Sequence, residues 1–229
     1  GGEGLSGTGP KAGGPLYLPR LLSAAPPDIA IRALASHPPA PAWLQPARPA
    51  RPLAALWDWA RDQGMAALAD RCAACAARLP ETAAASLPGP TGQLDVYALR
   101  PRGRVLCIAD EASDLLAQLA AALATGNDAL WQASHQAAAL HASLPADVAG
   151  HVTVADPAAS PFDAVLVHAM GNRLKSILRQ LARREGPLVP VIDLAPGDTA
   201  IPLERLLVER SISINTAAAG GNASLMTMD

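Results

Sequence analysis

Between residues 104 and 194 short apolar runs alternate with segments of helical period, and few folds satisfy that alternation. Residues 104–109, 129–132, 151–154, 164–168 and 188–194 are brief and rich in β-branched or other apolar residues, as buried strands are. Residues 113–125, 136–143 and 173–184 read as the helices between them. Residues 95–99 read as one further strand ahead of the series. Strands and helices in turn predict an α/β fold, Rossmann-like, with a mostly parallel sheet flanked by helices.

The chain upstream has a different texture. Pro26-Pro27, Pro38-Pro39, Pro41, Pro46, Pro49 and Pro52 predict an irregular connector holding one helix at 28–36. Residues 53–79 read as helix, interrupted near Gly64. Leu53, Leu56, Trp57 and Ala60 share one face, which Leu68, Cys72 and Cys75 continue. A Cys-x-x-Cys pair can serve redox chemistry or half a zinc site. Here no second pair and no histidine at ligand spacing accompany it, and i, i+3 on an Ala-rich face predicts core packing.

A net charge of −2 gives no electrostatic reason to expect nucleic acid or an anionic membrane surface. The longest apolar run, 115–124, is about half of what a bilayer span needs, so no transmembrane segment is expected. Three cysteines and no charged-then-apolar leader predict a cytoplasmic protein, and Asn222-Ala223-Ser224 then carries no glycan. Gly2-x-Gly4-x-x-Gly7 matches a dinucleotide fingerprint in letters only, because no strand precedes it and Thr8-Gly9-Pro10 follows where a helix should open. His135 and His141 are six apart, off a shared helical face, and Arg100, Arg102 and Arg104 form a small basic cluster; both sets are expected at the surface. No phosphate-binding glycine loop, nucleophile elbow or metal motif is present.

The last stretch, 206–229, places Ile212, Ile214, Leu225, Met226 and Met228 around a small-residue centre at 217–223. Small side chains let a backbone approach another surface closely, and Gly220-Gly221 opens angles that a side chain would forbid. The pattern predicts a tail that docks. Glu209-Arg210-Ser211-x-Ser213-x-Asn215-Thr216-x-Ala218-Ala219-Gly220-Gly221-Asn222-Ala223-Ser224-Leu225-Met226-Thr227 resembles the C-terminal motif of the long proline utilization A enzymes, bifunctional flavoenzymes of proline catabolism. The run Gly1 to Pro15, followed by Leu16-Tyr17-Leu18, resembles the closing segment of aldehyde dehydrogenases specific for glutamate semialdehyde. There the loop anchors the substrate carboxylate through backbone N–H groups, which implies Gly13 and Gly14 as donors. A domain does not begin with a catalytic domain's last loop, so the resemblance implies a piece of a longer protein.

Pro101-Arg-Gly-x-Val105 and 115–127, ending in Gly126-Asn127, resemble the start of an aldehyde dehydrogenase cofactor domain. Followed residue by residue, that resemblance puts Gln132 and His135 where a Lys and a Glu hold the adenosine ribose. It puts Ala169-Met170 at the pyrophosphate turn, Leu194 at the general base and Ala223 at the nucleophilic cysteine. A methyl group cannot act as nucleophile, nor Leu as base. The resemblance therefore implies a degenerate aldehyde-dehydrogenase superfamily domain that is not itself an enzyme and binds no cofactor, while its parent uses FAD and NAD. It divides the chain into the end of a preceding catalytic domain (1–22), a Pro-rich connector with helices (23–90), the Rossmann-like domain (91–205) and the motif (206–229). It implies a tail of Ser211, Ile212, Ile214, Asn215, Thr216, Gly220, Gly221, Asn222, Leu225 and Met226 acting as a lid. The partner would be the neighbouring aldehyde dehydrogenase domain, of the same polypeptide or of a second subunit, in a cytoplasmic or membrane-peripheral parent. The alternation by itself leaves a free-standing, NAD-binding Rossmann-type oxidoreductase open.

Overall fold

The computed structural model describes residues 13–22, 25–46 and 51–216. Five strands form one parallel sheet: β3 (Arg104–Ile108), β4 (Asp128–Gln132), β5 (Val152–Ala155), β6 (Ala164–His168) and β7 (Val191–Leu194), in the order β5-β4-β3-β6-β7. Three more, β1 (Ala84–Leu87), β2 (Gln93–Pro101) and β8 (Leu207–Asn215), form an antiparallel sheet in the order β1-β2-β8. The helices are α1 (Ile29–Ala35), α2 (Arg51–Asp62), α3 (Ala66–Ala77), α4 (Ala112–Ala124), α5 (His135–Ser143), α6 (Ala146–Ala149) and α7 (Gly171–Ala182).

Alternation along each parallel strand sends side chains to two cores. Val105, Cys107, Ala129, Trp131, Ala164 and Leu166 enter the larger one, and Leu106, Leu130 and Val165 join Phe162 in a smaller one on the opposite face. Helix α4 lies in the larger core with every residue from Asp114 to Leu123 buried. A helix apolar all round must be covered all round. The sheet covers one side of α4 and the α2–α3 pair the other, through Leu56, Ala60, Leu68, Ala69, Cys72 and Cys75. The expected break at Gly64 is a reversal between α2 and α3, with Gly64 at φ 69°. These helices share the core of the parallel sheet, so the stretch from 51 to 77 is part of that body.

The strand expected at 95–99 is real but stands outside the parallel sheet. As β2 it runs over nine residues and pairs antiparallel with all of β8, from Gln93 opposite Asn215 to Pro101 opposite Leu207. Gly103 then turns the chain from one sheet into the other at φ 133°, and a Cβ there would collide with Asp163 Oδ2. That oxygen accepts the Arg104 N–H at 2.8 Å, so the turn and the first residue of β3 are built together.

The proline-rich connector is also less irregular than its composition predicts. Pro39 bridges Ala85 of β1, and Gln45 fixes the segment with four bonds. Its Nε2 donates to Ala40 O and Ala84 O, and its Oε1 accepts from Ala83 N and Ala84 N. The basic cluster needs correcting too. Arg100 is exposed, but Arg102 is half-buried and its Nε donates to Arg205 O at 2.7 Å, because it lies under the turn Leu203–Leu206 that leads into β8. Arg104 is half-buried as well, with its Nε out of solvent.

Candidate functional site

Strand order reverses between β3 and β6: β4 and β5 extend the sheet one way, β7 the other. In doubly wound sheets ligands enter at the carboxyl ends of the strands at such a switch point. The positions singled out by the family resemblance lie on that edge. Gln132 ends β4, His135 opens α5, Ala169-Met170 join β6 to α7, and Leu194 ends β7. Gln132, His135 and Met170 are exposed, whereas Ala169 and Leu194 are buried.

At the first turn of the parallel sheet the residues do not fit the glycine-loop mode of dinucleotide binding. The turn from β3 into α4 lacks glycine and carries Asp110 and Glu111, with Asp114 in the first helical turn. Carboxylates at a helix N-terminus satisfy the dipole that would otherwise draw a pyrophosphate. Asp114 is buried and accepts the Gly197 N–H through both oxygens, at 3.2 and 3.1 Å. The crossover from β5 to β6, residues 156–163, contains no helix. Between that loop and α7 lies an open cleft of about 950 Å³, with Leu106, Ile108 and Phe162 in its lining and Arg173 and Arg184 among its polar residues. Neither arginine is idle: Arg173 pairs with Asp110, and Arg184 lies over the Phe162 ring at 4.5 Å.

Two buried polar groups here had no signal in the sequence. His168, 1% exposed at the end of β6, accepts at Nδ1 from Gln118 Nε2 at 2.7 Å and donates from Nε2 to Asp198 O at 2.7 Å. Both ring nitrogens are thereby spent on holding α4 and the loop after β7, leaving none to serve as a catalytic base. The indole N–H of Trp131 is buried without a partner among the described residues, beside a cavity of about 210 Å³. The expectation for the other histidines holds at His135, which is exposed; His141 is half-buried and bonded to Ala149 O at 3.2 Å. Among the described residues no three His, Cys, Asp or Glu gather as a metal site, and no helix is long and apolar enough to cross a membrane.

A second constellation joins the N-terminal loop to β8. Gly13 sits at φ 75°, and Gly14 O accepts the Tyr17 N–H at 3.0 Å, closing a turn. Neither the Gly13 nor the Gly14 amide is engaged among the described residues. Leu16, fully buried, packs in a core with Ile29, Ala33, Leu34, Tyr97, Leu99 and Leu207. Its N–H donates to Glu209 Oε1 at 3.3 Å, and the Tyr97 hydroxyl donates to the same oxygen at 2.8 Å. Glu209 is 5% exposed, a carboxylate of β8 beside the core that holds Leu16, Tyr97, Leu99 and Leu207.

Part of the expected tail lies in the antiparallel sheet. Ser211, Ile212, Ile214 and Asn215 belong to β8, and Thr216 continues it with its N–H on Gly92 O at 2.7 Å. Within the chain the backbone of Ser211 to Asn215 is held by β2. Gly220, Gly221, Asn222, Ala223, Leu225 and Met226 lie outside the described residues.

No protein-family model matches the chain. Over 100% of its length it is 48% identical to the Bifunctional protein PutA of Salmonella typhimurium, 45% to that of Escherichia coli and 38% to that of Rhizobium meliloti. It spans 18% of the length of each of these curated relatives. Among solved structures, a proline utilization A (PutA) with proline bound in remote sites matches 76% of this chain and 22% of its own at 23% identity and TM-score 0.47. An AldH from Staphylococcus aureus matches 63% and 40% at 16% identity and TM-score 0.46.

Proposed function

We propose that the chain, which corresponds end to end to one segment of the bifunctional PutA proteins, is a non-catalytic domain of a proline-catabolic enzyme. The parent would oxidise proline with FAD and then glutamate semialdehyde with NAD, and this segment would bind neither cofactor. It would be a degenerate aldehyde-dehydrogenase-like domain that steadies the semialdehyde dehydrogenase domain next to it, with residues beyond Thr216 closing the passage for the intermediate. Gly13 and Gly14 would present their amides to the substrate carboxylate.

The observation that carries this reading is the edge of the parallel sheet. Where a Rossmann site carries its glycine turn, between β3 and α4, the chain has Asp110, Glu111 and Asp114; at the pyrophosphate turn that the resemblance implies it has Ala169-Met170; and the crossover at 156–163 has no helix. Titration calorimetry of this chain with NAD, carried to millimolar concentration, should give no saturable heat. Saturation at micromolar NAD would favour a dinucleotide-binding oxidoreductase in its place.

A further inference from the structure

The cavity of about 210 Å³ lies between the ends of β3 and β4 and the starts of α4 and α5, on the face of the parallel sheet that holds the larger core. The cleft beside α7 opens on the other face, over Leu106 and Phe162. Cys107, Leu115, Trp131 and Ala137 form the buried wall of the cavity, and the exposed Asp110, Gln132 and Arg173 mark its solvent side. Trp131 is 0% exposed, and its Nε1–H has no partner among the described residues. An enclosed donor left unpaired forfeits its hydration, so the cavity favours an occupant that brings an acceptor.

Other polar groups around the cavity are already spent. The Cys107 thiol donates to Val105 O at 3.6 Å, Ser134 Oγ accepts the Ala137 N–H at 3.1 Å, and Arg173 pairs with Asp110. One inner donor therefore remains, with the two charges at the mouth cancelling each other. An ionised ligand would bury its charge against a neutral N–H and an apolar wall, which is costly. Size narrows the choice further, because drug-sized ligands occupy pockets of about 300–1,000 Å³. We propose that this cavity binds a small uncharged molecule with one carbonyl-type acceptor, its oxygen on Trp131 Nε1–H and its apolar part against Leu115 and Ala137. A dinucleotide is far too large for it, so the site is separate from any cofactor role.

The test follows the indole N–H resonances of the four tryptophans in the isotope-labelled chain by NMR as propionamide is added. Trp131→Phe identifies the Trp131 signal and removes the donor. Propionamide should shift that signal saturably with a Kd of about 10 mM, the scale for a ligand of about five non-hydrogen atoms. Propionate, nearly the same shape but charged, should bind at least about tenfold more weakly. Trp131→Phe, with its thermal midpoint checked, should weaken propionamide by about tenfold in ligand-observed NMR. No saturable shift up to about 0.2 M would mean that water alone occupies the cavity, and would overturn the proposal. Propionate binding as tightly as propionamide would overturn it too, as would undiminished binding in Trp131→Phe. Should Trp131→Phe not fold, Trp43→Phe, Trp57→Phe and Trp59→Phe identify the signal by elimination, and the two titrations of the parent chain decide.

Discussion

Cys72 and Cys75 lie one helical turn apart on the face of α3 that meets α4, and Cys107 lies in β3 beneath the same helix. All three are free and buried. Burial pushes the Cys72 thiol up to about 12, with the neighbouring Cys75 adding to the shift, and burial raises Cys75 and Cys107 as well. The thiolate is the reactive form, so near neutral pH neither access nor ionisation favours attack. Alkylation at pH 8 should label these three thiols only after denaturant is added; rapid native labelling of Cys72 or Cys75 would contradict the packing. The spacing of the pair on an Ala-rich helix was enough to foresee this. His168 and Glu209 were not legible, because a buried imidazole or carboxylate is identified by its partners. Gln118, Asp198, Tyr97 and Leu16 reach those sites from distant parts of the chain.

Among elements, the antiparallel pair β2–β8 is the one that the pattern along the chain could not supply. Helices α4, α5 and α7 and the parallel strands were readable because each carries its own period; α4, for instance, runs over Ala112–Ala124 against an expected 113–125. Strand β1, Ala84–Leu87, has no β-branched residue, and β8 finds its partner more than a hundred residues away. Asp95 reports on that pairing. It stands opposite Ser213, and the Gln93 amide, followed by the Ser213 hydroxyl, holds its carboxyl below the usual carboxylate range. Because the folded-state value is the lower one, any stabilisation is present above the unfolded value and disappears as pH falls through the folded one. The thermal midpoint of Asp95→Asn should therefore lie below that of the parent at pH 7, and the two should converge in acid. A gap that widened on acidification would show that Asp95 does not support the ladder.

For the whole molecule, the reach of β8 to Asn215 decides how a lid should be tested. Deleting everything from residue 211 would strip half of β8 and unseat Glu209's strand, confusing a lost lid with a damaged sheet. Cutting after Thr216 leaves the nine-residue ladder whole. In the parent, that truncation should spare proline oxidation and introduce a lag before NADH appears when proline is the substrate, as intermediate leaks to solvent. A coupled assay showing no lag and the parent rate would rule out a lid formed by residues 217–229.

The bond between Leu16 and Glu209 also has a schedule. Ribosomes add about 5–20 residues per second, so the 193 residues separating donor from acceptor leave roughly 10–40 s in which the loop exists without its acceptor. The parallel strands in between pair over shorter separations, the longest joining Val105 of β3 to Ala164 of β6. The glycine turn cannot settle until β8 has been made and has found β2. Maturation of the loop is thereby deferred until the sheet beneath it is finished.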